Sequence, residues 1–153
     1  MSSTLNRKKT WNLIATATIV AIAIWYQLEA NPPIFSEDIK FQDSAAILQQ
    51  AFDNKTSNLQ VVGQGRVTAL LADDLKEDRH QRFILEFNSG QTVLVAHNID
   101  LAPRIDSLKR GDQIEFNGEY EWNSKGGVIH WTHDDPDRKH QGGWLKHKGH
   151  IYK

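Results

Sequence analysis

RFILEFNSGQTVLVAHNIDLAPRIDSLKRGDQIEFNGEYEW, residues 82–122, carries the alternation of a β-sheet and one interruption of it. Phe83, Leu85 and Phe87 alternate with Arg82, Ile84 and Glu86, and Ser89-Gly90 turns the chain tightly into QTVLVAH. The period then lapses over DLAPRIDSLKRG. Asp100 reads as a helix cap, Pro103 falls in the first turn, Leu101, Ile105 and Leu108 share a face, and Gly111 ends the run, so a helix is expected there. Strand alternation resumes with Ile114, Phe116, Tyr120 and Trp122 on one face. NSKGG turns the chain again, and GVIHWTH reads as a further strand.

Upstream, Val67, Ala69 and Leu71 alternate with Arg66, Thr68 and Leu70 in a strand entered from Leu59, and ADDLKEDRH connects it to Phe83. Three strands, a helix and two strands is the element order of the OB-fold, a five-stranded Greek-key barrel. The expected fold class is therefore mainly β, an OB-fold-like barrel with one helix between its third and fourth strands. DSAAILQQAFDN adds a short amphipathic helix before it, capped by Asp43, with Ile47, Leu48, Ala51 and Phe52 on one face.

At the N-terminus, Arg7, Lys8 and Lys9 precede an uncharged run, 10–28, bounded by Trp11 and by Trp25-Tyr26. As a helix it spans about 28 Å, close to the hydrocarbon thickness of a bilayer. Residues 1–9 are expected to stay cytoplasmic, 10–28 to anchor the chain in the inner membrane, 29–42 to form a proline-marked linker, and 43–153 to fold outside the cytoplasm, in the periplasm, with a histidine-rich tail. The rival reading is a signal segment cleaved near Ala30, which would secrete the domain. Length and a net charge of -1 describe one domain without a general pull toward nucleic acid. The chain has no cysteine, which excludes disulfides, thiolate zinc sites and a cysteine nucleophile.

The chemistry is densest in GGVIHWTHDDPDRKH, residues 126–140. In an OB-fold the third and fifth strands run parallel, so His97, His130 and His133 would gather at one rim. Alternation turns His130 and His133 to opposite faces. The loop after the strand can return Asp134, Asp135 and His140 to that rim. These six residues are the candidate metal ligands, and imidazole with carboxylate suits zinc or another divalent transition metal. The spacing matches no standard metal motif, and the plainer reading makes His130 a barrel residue and His147 and His150 solvated tail residues. For a small molecule, an oligosaccharide or a single nucleic-acid strand, the candidate contacts are His97, Asn98, Tyr120, Trp122, Trp131 and Trp144. Tyr120 and Trp122 read equally well as core aromatics. No G-x-S-x-G motif or phosphate-cradling glycine loop is present.

VAHNIDLAPRI (95–105), GEYEWNSKGGVIHWTHDDP (118–136) and GGWLKHKG (142–149) together resemble the bacterial family Domain of Unknown Function 3465. The resemblance covers most of residues 59–153 and implies no particular activity. The layout is more distantly similar to periplasmic OB-fold binding modules. A membrane-anchored binding or accessory domain is the first expectation. A metal-dependent nuclease or phosphodiesterase, with His130 or His133 as base and an aspartate on the ion, is the alternative. A structural partner of other envelope proteins ranks third.

Overall fold

A computed structural model describes residue 25 and residues 36–153. The expected membrane-spanning run, 10–28, and the linker up to residue 35 lie outside the described residues apart from Trp25. Among the described residues no helix is long and apolar enough to cross a membrane. Helix α1, Ser36–Asp53, precedes seven strands: β1 Leu59–Leu70, β2 His80–Glu86, β3 Thr92–Asn98, β4 Gln113–Glu121, β5 Val128–His130, β6 Trp144–His147 and β7 His150–Tyr152. The helix begins seven residues earlier than the cap expected at Asp43.

β1 pairs with both β2 and β4, and the order β1-β2-β3-β5-β4 therefore closes into a five-stranded barrel. β1 accomplishes this by changing partners at Arg66, which faces Gln113 of β4 and Glu86 of β2. The register shifts between Val67 and Ala69, and such a bulge lets one strand bend from one neighbour to the next. Among the described strands, β3 and β5 alone run parallel, as expected, with Val95 opposite Ile129. Inward residues alternate along every wall. Phe83, Leu85, Val95, Ile114, Phe116, Tyr120 and Ile129 are all fully buried. Gly63 takes an inward position on β1 because a Cβ there would stand 2.7 Å from the Phe116 ring.

The helix expected between the third and fourth strands does not form; residues 99–112 are a chain of turns. Its backbone groups are claimed by side chains. Asn98 Oδ1 accepts the amides of Asp100 and Leu101 at 2.8 and 3.2 Å. Gln81, reaching in from β2, accepts the Ile105 amide at 2.9 Å and donates to the Ile105 carbonyl at 3.0 Å. The Ile105 amide is thus unavailable to an i-4 carbonyl, and Pro103 has no amide to give. Asp100 holds Arg79 at 2.6 Å instead of capping a helix. The segment still plugs one barrel end with Ala102, Ile105 and Leu108, whereas Leu101 is exposed. α1 packs where β2 turns into β3: Gln91 Nε2 donates to the Leu48 carbonyl at 3.3 Å and Trp122 Nε1 to that of Phe52 at 3.0 Å.

β5 and β6 lie end to end along the same edge of β4. Glu121, Tyr120 and Glu119 face β5, and Asn117, Phe116 and Glu115 face β6. Residues 131–143 are therefore an excursion from one interrupted edge strand. The chain rejoins that edge at Gly143, where a Cβ would collide with the carbonyl oxygens of Trp131 and Asn117. The tail expected to be solvated is in fact a hairpin, β6–β7. Of its two histidines, His147 is buried and bonds Asp112 at 2.8 Å, and His150 is exposed.

Candidate functional site

Two groups of histidines emerge on opposite sides of the barrel wall. His97, on β3, follows Val93 and Val95 inward and is fully buried. Its Nε2 donates to the Pro103 carbonyl at 3.2 Å, which leaves Nδ1 to accept the Thr132 hydroxyl at 2.8 Å. Burial pushes its pKa down to about 4, against the Pro103 hydrogen bond and with help from the charges of His133 and His80. This neutral imidazole is a saturated part of the core and has no lone pair left for a metal.

Outside the wall, β4 alternation turns Glu119 and Glu121 away from Tyr120, and the β4–β5 register sets His130 directly opposite Glu119. His130 Nε2 lies 3.3 Å from Glu119 Oε1 yet has no hydrogen-bond partner, although the atom is buried. Carboxylate oxygens of Glu119 and Glu121 and a ring nitrogen of His130 fall within 4.8 Å of one another. His140 returns from the loop to place Nε2 2.8 Å from Glu119 Oε2. Gln60, opposite Glu119 on the β1 side, donates to Asn117 at 2.7 Å while its own Oε1 is buried without a partner.

The loop geometry explains how His140 arrives. Trp131 takes a left-handed backbone conformation (φ 51°), which ends β5 and breaks the alternation, so Thr132 turns inward to His97. Asp135 then gathers the amides of Asp137, Lys139 and His140 at 3.0, 2.7 and 2.8 Å. The His140 ring stacks on Trp131 at 4.0 Å and 10°. Its Nδ1 faces the Gln141 carbonyl at 2.8 Å. Burial lowers the His140 pKa, but the Glu119 and Gln141 hydrogen bonds outweigh it and the net shift is upward. His130 moves the other way, because desolvation exceeds the attraction of Glu119 and Glu121. The two imidazoles face one carboxylate, and their surroundings favour the protonated form at His140 and disfavour it at His130.

Of the six candidate metal ligands, the structure brings His130 and His140 together and separates the rest. His97 is inside the barrel. His133 is buried beside Trp131 with Nδ1 on the Asp134 carbonyl at 2.8 Å. Asp134 pairs with Lys153 at 3.3 Å, and Asp135 is spent on the loop amides. Glu119 and Glu121 complete the cluster. Their signal lay in the alternation around Tyr120 combined with the hairpin register that NSKGG imposes. Among the candidate contacts, Tyr120 is a core residue whose hydroxyl donates to the Gly126 carbonyl at 3.3 Å. Trp122 packs against Phe52 of α1, and Asn98 serves the turn after β3. Trp131 and Trp144 are half-buried, one stacked on His140 and one on β6 opposite Asn117. A groove of about 600 Å³ lies elsewhere, between α1 and the barrel, lined by Gln49, Gln64, Arg66, Glu86, Asn88 and Gln113. It collects amides rather than a convergent set of titratable groups, so the chemistry points to the β4 edge.

Residues 33–153 match the family model described as a protein of unknown function, DUF3465. The chain belongs to this family. The match spans α1, the barrel and the tail hairpin, so the cluster on the β4 edge lies wholly within the family's domain. Among curated proteins none matches the chain.

Proposed function

We propose that this DUF3465 chain is an OB-fold-like binding or accessory domain, held at the outer side of the inner membrane by residues 10–28, with its working surface on the outside of the barrel. The observation that supports this reading is the contrast across the wall. The interior is filled by Phe83, Leu85, Phe116, Tyr120 and His97, while Glu119, Glu121 and His130 gather outside and His140 meets Glu119 there. The carboxylates of Glu119 and Glu121 on this outer face favour a cation or a neutral ligand such as an oligosaccharide over a nucleic-acid strand.

The second reading, a metal-dependent phosphodiesterase, draws on the same cluster. Against it, of the groups that would supply its base and hold its ion, His133 is buried with Nδ1 on the Asp134 carbonyl, Asp134 pairs with Lys153 and Asp135 holds the loop amides, which leaves only His130 in the cluster. The test is hydrolysis of bis-p-nitrophenyl phosphate by the full-length protein in detergent with added zinc. The binding reading expects no turnover above the zinc-only control. Turnover that disappears in Glu119→Gln would replace it with the hydrolase.

A further inference from the structure

We propose that Glu119, Glu121, His130 and His140 form a binding site for a single divalent transition-metal ion of the zinc type. This rests on the reading of the β4 edge as the working surface and names what that surface holds. The first support is a conflict of lone pairs. A carbonyl only accepts, so the Gln141 contact at 2.8 Å fixes the proton of a neutral His140 ring on Nδ1. Nε2 then presents a lone pair to Glu119 Oε2, itself an acceptor, at 2.8 Å. Two acceptors at that distance need a positive centre between or beside them: a second proton makes the contact an ion pair, and a cation can take that proton's place.

The second support is independent of His140. His130 Nε2 and Gln60 Oε1 are two buried polar atoms without a hydrogen-bond partner, the imidazole facing Glu119 Oε1 at 3.3 Å, and both sit next to Glu119 in the sheet register, one on each side. Buried polar atoms are rarely left so, and an ion beside Glu119 would satisfy the imidazole directly. The third is fit. Four donors around zinc at about 2.0–2.2 Å stand roughly 3.4 Å apart, and the Glu119, Glu121 and His130 donors already lie within 4.8 Å of one another. Two imidazoles with two carboxylates favour zinc or a neighbouring transition metal over magnesium or calcium, which take oxygen.

The surroundings are those of a ligand held in advance. His140 is fixed by the Gln141 carbonyl behind it, by the Trp131 ring beside it and by Asp135 on its own amide. A ring nitrogen turned toward a carbonyl is the usual way a metal-binding histidine is oriented. The loop 131–143 is anchored at both ends to the β4 edge and carries His140 to Glu119.

The experiment is calorimetric titration of the full-length protein in detergent, freed of metal, with zinc chloride at neutral pH, with zinc content then measured on the dialysed complex. One zinc per chain is expected. His140→Ala, the substitution least coupled to the barrel, should weaken binding at least about tenfold, as should His130→Ala and Glu119→Gln. His150→Ala and Asp134→Asn should bind as the parent does, and the unliganded melting curve of His140→Ala should show that it folds. Saturable binding unchanged in His140→Ala and His130→Ala, or no saturable binding by the parent, would overturn the site. No zinc bound, together with no phosphodiester cleavage, would remove the metal and leave the binding surface standing. Zinc bound with cleavage would do the reverse.

Discussion

His97 and His140 are the same residue in opposite circumstances, separated by the thickness of one barrel wall. His97 has both ring nitrogens satisfied by a hydroxyl and a carbonyl and is kept neutral by burial, with its pKa near about 4. His140 has a carbonyl on one nitrogen and a carboxylate on the other, and its pKa rises. An imidazole inside the wall is structural because all its hydrogen-bonding capacity is spent, and an imidazole outside it is chemical because its partner is an anion shared with a second imidazole. Density of histidine in a sequence does not separate the two. Position relative to the wall does.

The sharpest way to break this contrast is to force a charge inside. Leu85 is fully buried on β2, and Leu85→Asp should cost about 3 kcal/mol or more, enough to abolish the cooperative thermal transition of the domain. An unchanged transition would mean that the interior tolerates charge and that the wall does not divide two environments.

Acidification applies the same test through a native group. His97 shifts from 6.5 unfolded to about 4 folded, so between those values the unfolded chain binds the proton and the native chain does not. Its contribution is complete above about pH 6.5 and declines as pH falls toward 4, by about 3 kcal/mol in all. His140, with a raised pKa, acts with the opposite sign: its contribution is present at low pH and is lost as pH rises through its folded pKa. Comparison with His97→Gln isolates the first effect. Denaturant unfolding followed across this range should show a steeper loss of stability in the parent than in His97→Gln, and parallel curves would place His97 in contact with water.

The barrel was legible in the alternation of Phe83, Leu85 and Phe87 and of Ile114, Phe116 and Tyr120, because a period of two survives any tertiary context. The parallel meeting of β3 and β5 followed from the order of elements. A helix over 100–110 is prevented by Gln81, 24 residues from Ile105 in sequence, whose side-chain amide takes both backbone groups of Ile105. His97 was readable as inward from Val93 and Val95, but its place near other histidines drew it toward the rim. The candidate site was half legible. His130 and His140 were in view, whereas Glu119 and Glu121 could be joined to them only once the hairpin register was known, and β6 only once Gly143 was seen to bring the chain back to β4.

The most direct test of the division across the wall observes the histidine rings themselves. Full-length protein labelled with nitrogen-15 in its histidines, titrated with zinc and followed by ring-nitrogen NMR, should show the His130 and His140 resonances moving to saturation while those of His97, His133 and His147 stay in place. Movement of His97 or His133 with His130 and His140 unaffected would put the working histidines on the inside and contradict the assignment of the outer β4 edge.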